Sequence, residues 1–312
     1  MKRKQLECLT STFSNIKKLR VESIGIFTKD FFSIIDHKFS MLKHLQMGRT
    51  EKYYTGFFAK ELLLFGVHFP FITKLDLYLT GITDDTLSQL ISMLASLKKL
   101  YIHERKLNGE FLLTEMRKLT KLQLNVATLT NFNELSLPLV EELEIYTRKI
   151  DGYMGLAEKC YNLKRIIFSF DSCSDVIFDD FISNFPNVET LDFRCGVMRF
   201  NSTVLQSLGK LSHLRNLIYY GSHFKQNKFM TLNDGETNAL SELIRRLHWV
   251  TNFEFNFSNI SNKECFDNFV SDAKIIKCHR PYLSIKILKR GKMRDRSENS
   301  YCNGPWIIDV QK

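Results

Sequence analysis

The sequence contains few of the residues that interrupt regular structure. Only 5 prolines and 14 glycines occur among its 312 residues, which excludes a collagen-like chain and a low-complexity disordered one. Hydrophobic residues make up 44% of the sequence and charged residues 25%. This composition is typical of a globular protein with a large apolar core.

Segments that would direct the chain into or across a membrane are also lacking. The most apolar stretch, residues 57–72, is interrupted by Lys60, Glu61 and His68, so we expect no membrane span. The basic N-terminus is not followed by the apolar run of a signal peptide. The seven cysteines include no C-x-x-C pair, which indicates reduced thiols and a cytoplasmic or nuclear location.

One short phrase recurs along the chain. It consists of an apolar residue, any two residues, a second apolar residue, any one residue, and a third apolar residue. It occurs ten times, with its middle apolar residue at Leu19, Leu45, Leu75, Leu100, Leu122, Leu143, Ile166, Leu191, Leu217 and Phe253. Successive middle residues are 21 to 30 residues apart, except for a final gap of 36. Such spacing is typical of leucine-rich repeats.

The phrase predicts a strand, and the segments between phrases predict helices. The second and third apolar residues are two apart, so in a strand they point to the same, buried side. Helical spacing links Leu87, Leu90, Ile91 and Leu94, then Phe178, Phe181, Ile182 and Phe185, and finally Leu240, Leu243, Ile244 and Leu247. Stacked units of this kind bury one continuous core. We therefore predict an α/β leucine-rich-repeat solenoid, a horseshoe of about 10–11 degenerate repeats, with a parallel sheet on its concave side and helices on its convex side.

Charge is concentrated near the two ends of the chain. The net charge is +10; residues 1–20 contain six Lys/Arg and one acid, and residues 274–296 contain nine and one. We predict a single leucine-rich-repeat domain over residues 1–290, with repeats over about residues 10–260 and a C-terminal capping strand over about 274–290. Residues 291–312 are expected to form a basic, flexible tail.

The basic patch at the end of this domain has two interpretations. It comprises Lys286, Lys289, Arg290, Lys292, Arg294 and Arg296. As a functional site it would attract nucleic acid, an anionic membrane or a nuclear import receptor. As a structural feature it would be the polar end that a solenoid needs to stay in solution. We favour the second interpretation, and nucleic acid stays an alternative partner.

Two segments resemble a known class of repeat. Residues 81–87, Gly-Ile-Thr-Asp-Asp-Thr-Leu, lead into residues 97–102, and residues 157–166 read Ala-Glu-Lys-Cys-Tyr-Asn-Leu-Lys-Arg-Ile. Both resemble the cysteine-containing leucine-rich repeat of F-box/leucine-rich-repeat proteins, the substrate receptors of cullin-based ubiquitin ligases. The resemblance covers about residues 10 to 260. It implies a ribonuclease-inhibitor-like solenoid that binds a protein substrate for ubiquitylation.

The sequence departs from that family in two ways. The ninth place of the phrase, often Asn or Cys in the family, varies here from Thr80 to Ser258. The first phrase begins at Ile16, which leaves no room before it for the F-box that docks on the ligase. We therefore expect either a chain truncated relative to the family or one that binds without ubiquitylating. Cullin-ligase subunits would be partners only if an F-box is supplied elsewhere.

No catalytic or cofactor motif is present. The sequence has no P-loop, no G-x-G-x-x-G, no H-E-x-x-H and no metal-ligand spacing of Cys and His. Cys265, Phe266 and Asp267 form a C-x-D arrangement that some bacterial leucine-rich-repeat ubiquitin ligases carry in a separate catalytic domain, which this chain lacks. We expect no enzyme activity, no catalytic residue, no cofactor and no metal.

The residues between the apolar positions predict a binding face. The third, fifth and seventh places of each phrase point away from the buried side and would line the hollow of the horseshoe. The candidate partner-binding residues among them are Tyr78, Tyr101, His103, Tyr146, Ile167, Arg194, Ile218 and Tyr220. Tyrosine and arginine are enriched at binding hot spots, and exposed isoleucines favour an interface. The alternative is that tyrosine simply suits a strand.

Overall fold

The protein is described by a computed structural model. It describes residues 8, 15–22, 39, 41–48, 59–78, 80–104, 107–110, 116–130, 137–150, 160–170, 179, 182–183, 185–195, 202–221, 234–257, 263–289 and 306–309. These residues fall into two compact units, Met1–Asn162 and Leu163–Lys312. The single-domain organisation expected for residues 1–290 stays a prediction.

The described residues of unit 1 include eight strands and two helices. They are β1 (Lys18–Glu22), β2 (His44–Gly48), α1 (Ala59–His68), β3 (Lys74–Tyr78), α2 (Asp84–Met93), β4 (Lys99–Glu104), β5 (Lys121–Val126), β6 (Thr128–Leu129), β7 (Glu142–Thr147) and β8 (Lys149–Ile150). Strands β1, β2, β3, β4, β5 and β7 form consecutive parallel pairs in that order, and the short β6 and β8 pair separately.

The described residues of unit 2 include six strands and three helices. They are β9 (Arg165–Phe170), β10 (Thr190–Cys195), α3 (Ser202–Gly209), β11 (Asn216–Gly221), α4 (Asp234–Arg246), β12 (Asn252–Phe257), α5 (Lys263–His279), β13 (Ser284–Lys289) and β14 (Trp306–Asp309). Strands β9 to β13 pair in parallel and in sequence order, and β14 pairs antiparallel with β13. The parallel α/β architecture predicted from the phrase is present in both units.

The strand register aligns equivalent places of successive phrases. In unit 1 Leu45 lies beside Leu75, Leu75 beside Leu100, and Leu100 beside Leu122. Leu75 is 1% exposed and Leu100 is 0% exposed. In unit 2 Leu191 is likewise 0% exposed. These residues form the apolar row that the phrase predicts, because side chains at the same place of parallel strands stack on the same side of the sheet.

Two of the predicted helices are found. In α2 the side chain of Thr83 accepts a hydrogen bond from the backbone N–H of Thr86, which caps the helix. Leu87, Leu90 and Ile91 are buried on one face of that helix. Helix α4 contains Leu240, Leu243 and Ile244 of the third predicted face but runs from Asp234 to Arg246, so Leu247 lies one residue beyond its end. Of the predicted Phe178–Phe185 face, Ile182 and Phe185 are described, and both are buried.

The C-terminal cap differs from the prediction. A strand was expected over residues 274–290, but residues up to His279 belong to the helix α5, and the strand β13 begins at Ser284. Cys265, Phe269 and Ala273 are buried at helical spacing and hold this helix against the core. Residues 306–309, which we expected to be part of a flexible tail, form β14 and pair with the edge of β13.

Candidate functional site

Tyr101 occupies the centre of the outward side of unit 1. Its ring lies between two ammonium groups: Lys74 Nζ is 4.5 Å and Lys121 Nζ 5.6 Å from the ring centroid. Lys74 is on β3 and Lys121 on β5, the strands that flank β4. Cation–π attraction of this kind holds an aromatic ring in one orientation. The three strands therefore present a fixed tyrosine with half-buried cations on either side.

Carboxylates anchor these two lysines. Asp76 Oδ2 lies 2.8 Å from His44 Nε2 and 3.4 Å from Lys74 Nζ. Lys121 Nζ lies 2.7 Å from Glu142 Oε2 and 2.8 Å from Glu144 Oε1. Each pair joins neighbouring strands or adjacent outward places of one strand. Because these carboxylates lie among the cations, this side of the sheet is not a uniform phosphate-binding groove.

The surroundings of Tyr101 and Lys121 shift the pKa values of both side chains. Burial raises the pKa of the Tyr101 phenol, against the attraction of Lys121 and with help from the nearby Asp76 carboxylate. Burial alone would lower the pKa of Lys121, but hydrogen bonds to Glu142 and Glu144 outweigh it and raise the pKa above its ordinary value. At neutral pH Tyr101 is thus a neutral hydrogen-bond donor and Lys121 a cation.

Tyr78 and His103 continue the aromatic row towards the ends of the strands. Their rings stack with centroids 5.9 Å apart and an interplanar angle of 22°. His103 Nδ1 lies 2.9 Å from Asn125 Nδ2, which fixes the imidazole. Tyr78 is 38% exposed. Gly48 leaves the space that Tyr78 occupies, because a Cβ at this glycine would lie 2.6 Å from Tyr78 Cβ.

The structure brings the predicted residues of unit 1 together. Tyr78, Tyr101, His103 and Tyr146 lie on the outward side of β3, β4 and β7, and all have partly or largely exposed side chains. We call Tyr78, Tyr101 and His103, with Lys74 and Lys121, the tyrosine face. Sequence reasoning placed both lysines on this side but did not predict that they bracket the ring. His44, at the third place of the second phrase, follows the same rule but was not among the named candidates, and its ion pair with Asp76 was not predicted.

The predicted residues of unit 2 have different roles. Ile167, expected to be displayed, is 4% exposed, so this prediction is wrong. It lies at the middle of β9 beside Asp192 of β10, which is itself 2% exposed, so this part of the outward side is closed to solvent. Arg194 binds Asp192 through both carboxylate oxygens, at 3.0 and 2.8 Å. Ile218 is half-buried, and the side chain of Tyr220 lies outside the described residues.

Little of the predicted basic patch can be placed. Lys286 Nζ lies 3.5 Å from Glu254 Oε2 of the neighbouring strand, so its charge is partly balanced. Lys289 belongs to β13, but its side chain lies outside the described residues. The same holds for the whole of Arg290, Lys292, Arg294 and Arg296.

Other candidate chemistry is weak where the structure describes it. Cys265 is buried, at 1% exposure, and Asp267 is exposed, so the C-x-D thiol faces the core. Within the described ranges, no three His, Cys, Asp or Glu residues converge as a metal site. Among those same residues, no helix has the length and apolar character needed to cross a bilayer.

Comparison with known proteins finds structural neighbours of low similarity. Neither a protein-family model nor a curated protein matches the sequence. Among solved structures, a Bacteroides fragilis protein has 14% identity and a TM-score of 0.42, with 81% of this chain and 66% of that chain covered. A TLR13 complex with ssRNA13 has 11% identity and a TM-score of 0.29, with 90% and 55% covered. This chain thus spans less than two thirds of either protein, and function must be argued from the site itself.

Proposed function

We propose that this chain is a protein-binding repeat module and that the tyrosine face is where its partner docks. The observation that carries the proposal is Tyr101, held between Lys74 and Lys121 on the outward side of three parallel strands. A fixed aromatic ring loses little conformational entropy on binding, and it offers both apolar area and a hydroxyl. The cations and carboxylates around it complement the mixed charges of a protein surface better than the uniform charge of a polyanion.

The proposal predicts one dominant contact. A partner is first identified by affinity purification of the full chain and mass spectrometry, and its affinity for purified variants is then measured. Tyr101→Ala is expected to weaken binding about thirtyfold, the effect of truncating a hot-spot residue. Tyr161→Ala is the matched control, because Tyr161 is 57% exposed and lies in a turn outside the tyrosine face.

Salt dependence separates this site from a polyanion-binding one. Binding through the tyrosine face should change little with NaCl concentration, whereas binding through phosphate contacts would weaken steeply. Equal affinities of the Tyr101→Ala and Tyr161→Ala variants would rule out the tyrosine face as the docking site.

A narrower form of the proposal concerns ubiquitin ligases. The cysteine-containing repeat of residues 157–166 resembles F-box/leucine-rich-repeat receptors, and a substrate receptor of an SCF-type, cullin-based ligase would use its strand face in this way. Cullin-ligase subunits should then be recovered with the wild-type chain and with Tyr101→Ala, while the substrate is lost from the variant only. Recovery of a partner without any ligase subunit would leave the protein-binding module and remove the ligase role.

We further infer that the repeats form an open solenoid with the strands on its concave side. Support comes from the parallel strands of each unit, which follow one another in sequence order. An open solenoid should have a radius of gyration in X-ray scattering well above the roughly 20 Å of a compact chain of this length. A value near 20 Å would argue against the horseshoe.

A further inference from the structure

A row of lysines lies along the edge of the unit 1 sheet where its strands begin. Six exposed lysines sit at or up to three residues before the starts of β1, β2, β4 and β5: Lys17, Lys18, Lys43, Lys98, Lys99 and Lys118. We call them the lysine edge. With strands about 4.8 Å apart, the row is about 19 Å long. Within the described ranges, no carboxylate lies within ion-pair distance of any of the six.

The strand register brings these lysines to the same edge of the sheet although they are far apart in sequence. The backbone N–H of Lys43 donates to Lys17 O, that of Thr73 to Lys43 O, and that of Lys98 to Thr73 O. The same ladder continues through Thr120 to Glu141. The repeat thus brings Lys17, Lys43 and Lys98 to equivalent places of this ladder, where Thr73 and Thr120 occupy the places before β3 and β5.

Charges of opposite sign collect at the other end of the same strands. Asp84 and Asp85 begin α2, Glu104 ends β4, and Glu110 follows it. Asp84 and Glu104 are engaged with backbone N–H groups of that end, at Gly109 and Gly81 respectively. The sheet thus has a positive amino edge and a carboxylate-rich carboxyl edge, which orients it in the field of a charged partner.

Exposed apolar side chains occupy the same edge. Met41 and Phe71 stand three places before His44 and Lys74, which are paired in the sheet, and they are 46% and 63% exposed. Val67, in the last turn of α1, is 60% exposed. The Lys43 ammonium lies 5.9 Å from the centroid of the Phe71 ring, so cation and apolar group adjoin one another.

We propose that the lysine edge, with Met41, Val67 and Phe71, is a docking surface for an anionic lipid bilayer. Lysines near a membrane are attracted by anionic headgroups, and exposed apolar side chains gain free energy by entering the interface. Neither signal alone anchors a protein stably, and two together do. Two of the three exposed apolar side chains, Met41 and Val67, are not aromatic, which favours lipid over nucleic acid, whose bases stack on aromatic rings.

The test is sedimentation of the full-length protein with lipid vesicles. Vesicles of phosphatidylcholine with about 30% phosphatidylserine should bind the protein, and pure phosphatidylcholine vesicles should not. Binding should weaken when NaCl is raised from about 0.05 M to about 0.5 M, because salt screens the attraction between the lysines and the anionic headgroups. Absence of binding to the anionic vesicles at low salt overturns the proposal.

Matched variants locate the contact. Lys43→Glu is expected to reduce the partition coefficient about fivefold or more, and Phe71→Ala about threefold to tenfold. Lys274→Glu and Ile275→Ala change exposed residues of the same types on α5 and should have no effect. If either edge variant behaves as its α5 control does, the docking surface is not this edge.

Two further arms separate lipid docking from nucleic-acid binding and from protein binding at the tyrosine face. A single-stranded oligonucleotide of about 20 nucleotides that binds through Lys43 when anionic vesicles do not would replace lipid by nucleic acid as the partner. Tyr101→Ala should keep full vesicle binding, because Tyr101 belongs to the tyrosine face and not to the lysine edge. Failure of vesicle binding therefore leaves the proposed protein-binding function untouched, and the reverse also holds.

Discussion

Leu100→Ala is expected to lower the free energy of unfolding by about 3–5 kcal/mol, the upper part of the range for a leucine truncated in a tight core. Leu100 is 0% exposed and lies between Leu75 and Leu122 in the register of β3, β4 and β5. Truncation of its side chain opens a cavity on the buried side of the sheet, between the side chains of Leu75 and Leu122. The backbone hydrogen bonds of β4 to both neighbouring strands limit how far the structure can close this cavity. Thermal and urea denaturation measure the loss.

The control for this core variant is the neighbouring residue. Lys99→Ala changes an exposed side chain of the same strand and should alter stability by no more than about 0.5 kcal/mol. In a repeat stack each unit is stabilised by its neighbours, so the loss at Leu100 should reduce the cooperativity of unit 1 as well as its midpoint. Similar midpoints for the two variants would contradict the stacked apolar row.

Arg280→Ala is expected to lower the free energy of unfolding by about 2–4 kcal/mol, because a single guanidinium donates hydrogen bonds to several backbone carbonyls of one turn. Arg280 Nη1 donates to Ile244 O at 2.7 Å, and Nη2 donates to His248 O at 2.9 Å and Val250 O at 2.5 Å. These carbonyls end α4 and lead into β12, where they have no other helical donor. Burial lowers the pKa of Arg280 from its ordinary value, but arginine stays charged at neutral pH.

Two further substitutions sharpen the Arg280 test. Arg280→Lys should recover only part of the loss, since a single ammonium cannot span carbonyls that the planar guanidinium reaches together. Lys274→Ala removes an exposed cation from α5, the helix that ends just before Arg280, and should leave the unfolding midpoint within about 1 °C of wild type. The account of this cap fails if alanine at position 280 is as stable as alanine at position 274.

The repeating apolar places were predictable from the sequence because each depends on its own strand. Leu75, Leu100 and Leu191 needed only the two-residue periodicity of a strand to be assigned to the core. Strand β13 is the strand of an eleventh repeat, and its Leu283, Ile285 and Ile287 are buried. Its first two apolar residues are two positions apart instead of three, so the search for the phrase did not detect it. The repeats tolerate such variation because the register, rather than the exact spacing, aligns the buried side chains.

The features that escaped prediction depend on neighbours that are distant in sequence. Lys121 and Lys74 meet the Tyr101 ring only through the register of three strands. Ile167 is buried beside the equally buried Asp192 of the neighbouring strand, a partner that lies 25 residues away in sequence. The helix α5 was hidden by its cations, which drew attention to charge in a segment whose buried residues, from Cys265 to Ile276, have helical spacing. The lysine edge was not predicted because its lysines are about one repeat apart in sequence. A search for short segments rich in Lys and Arg does not detect residues spaced in this way.

The most direct test of the account is photo-crosslinking from the tyrosine face. A photoreactive phenylalanine analogue replaces Tyr101 in one protein and the exposed Gln89 of α2 in another, and each is irradiated with the identified partner. We predict a crosslinked product from position 101, none from position 89, and loss of the product when unlabelled wild-type protein competes. Crosslinking from position 89 without crosslinking from position 101 would contradict the claim that the strands carry the binding site.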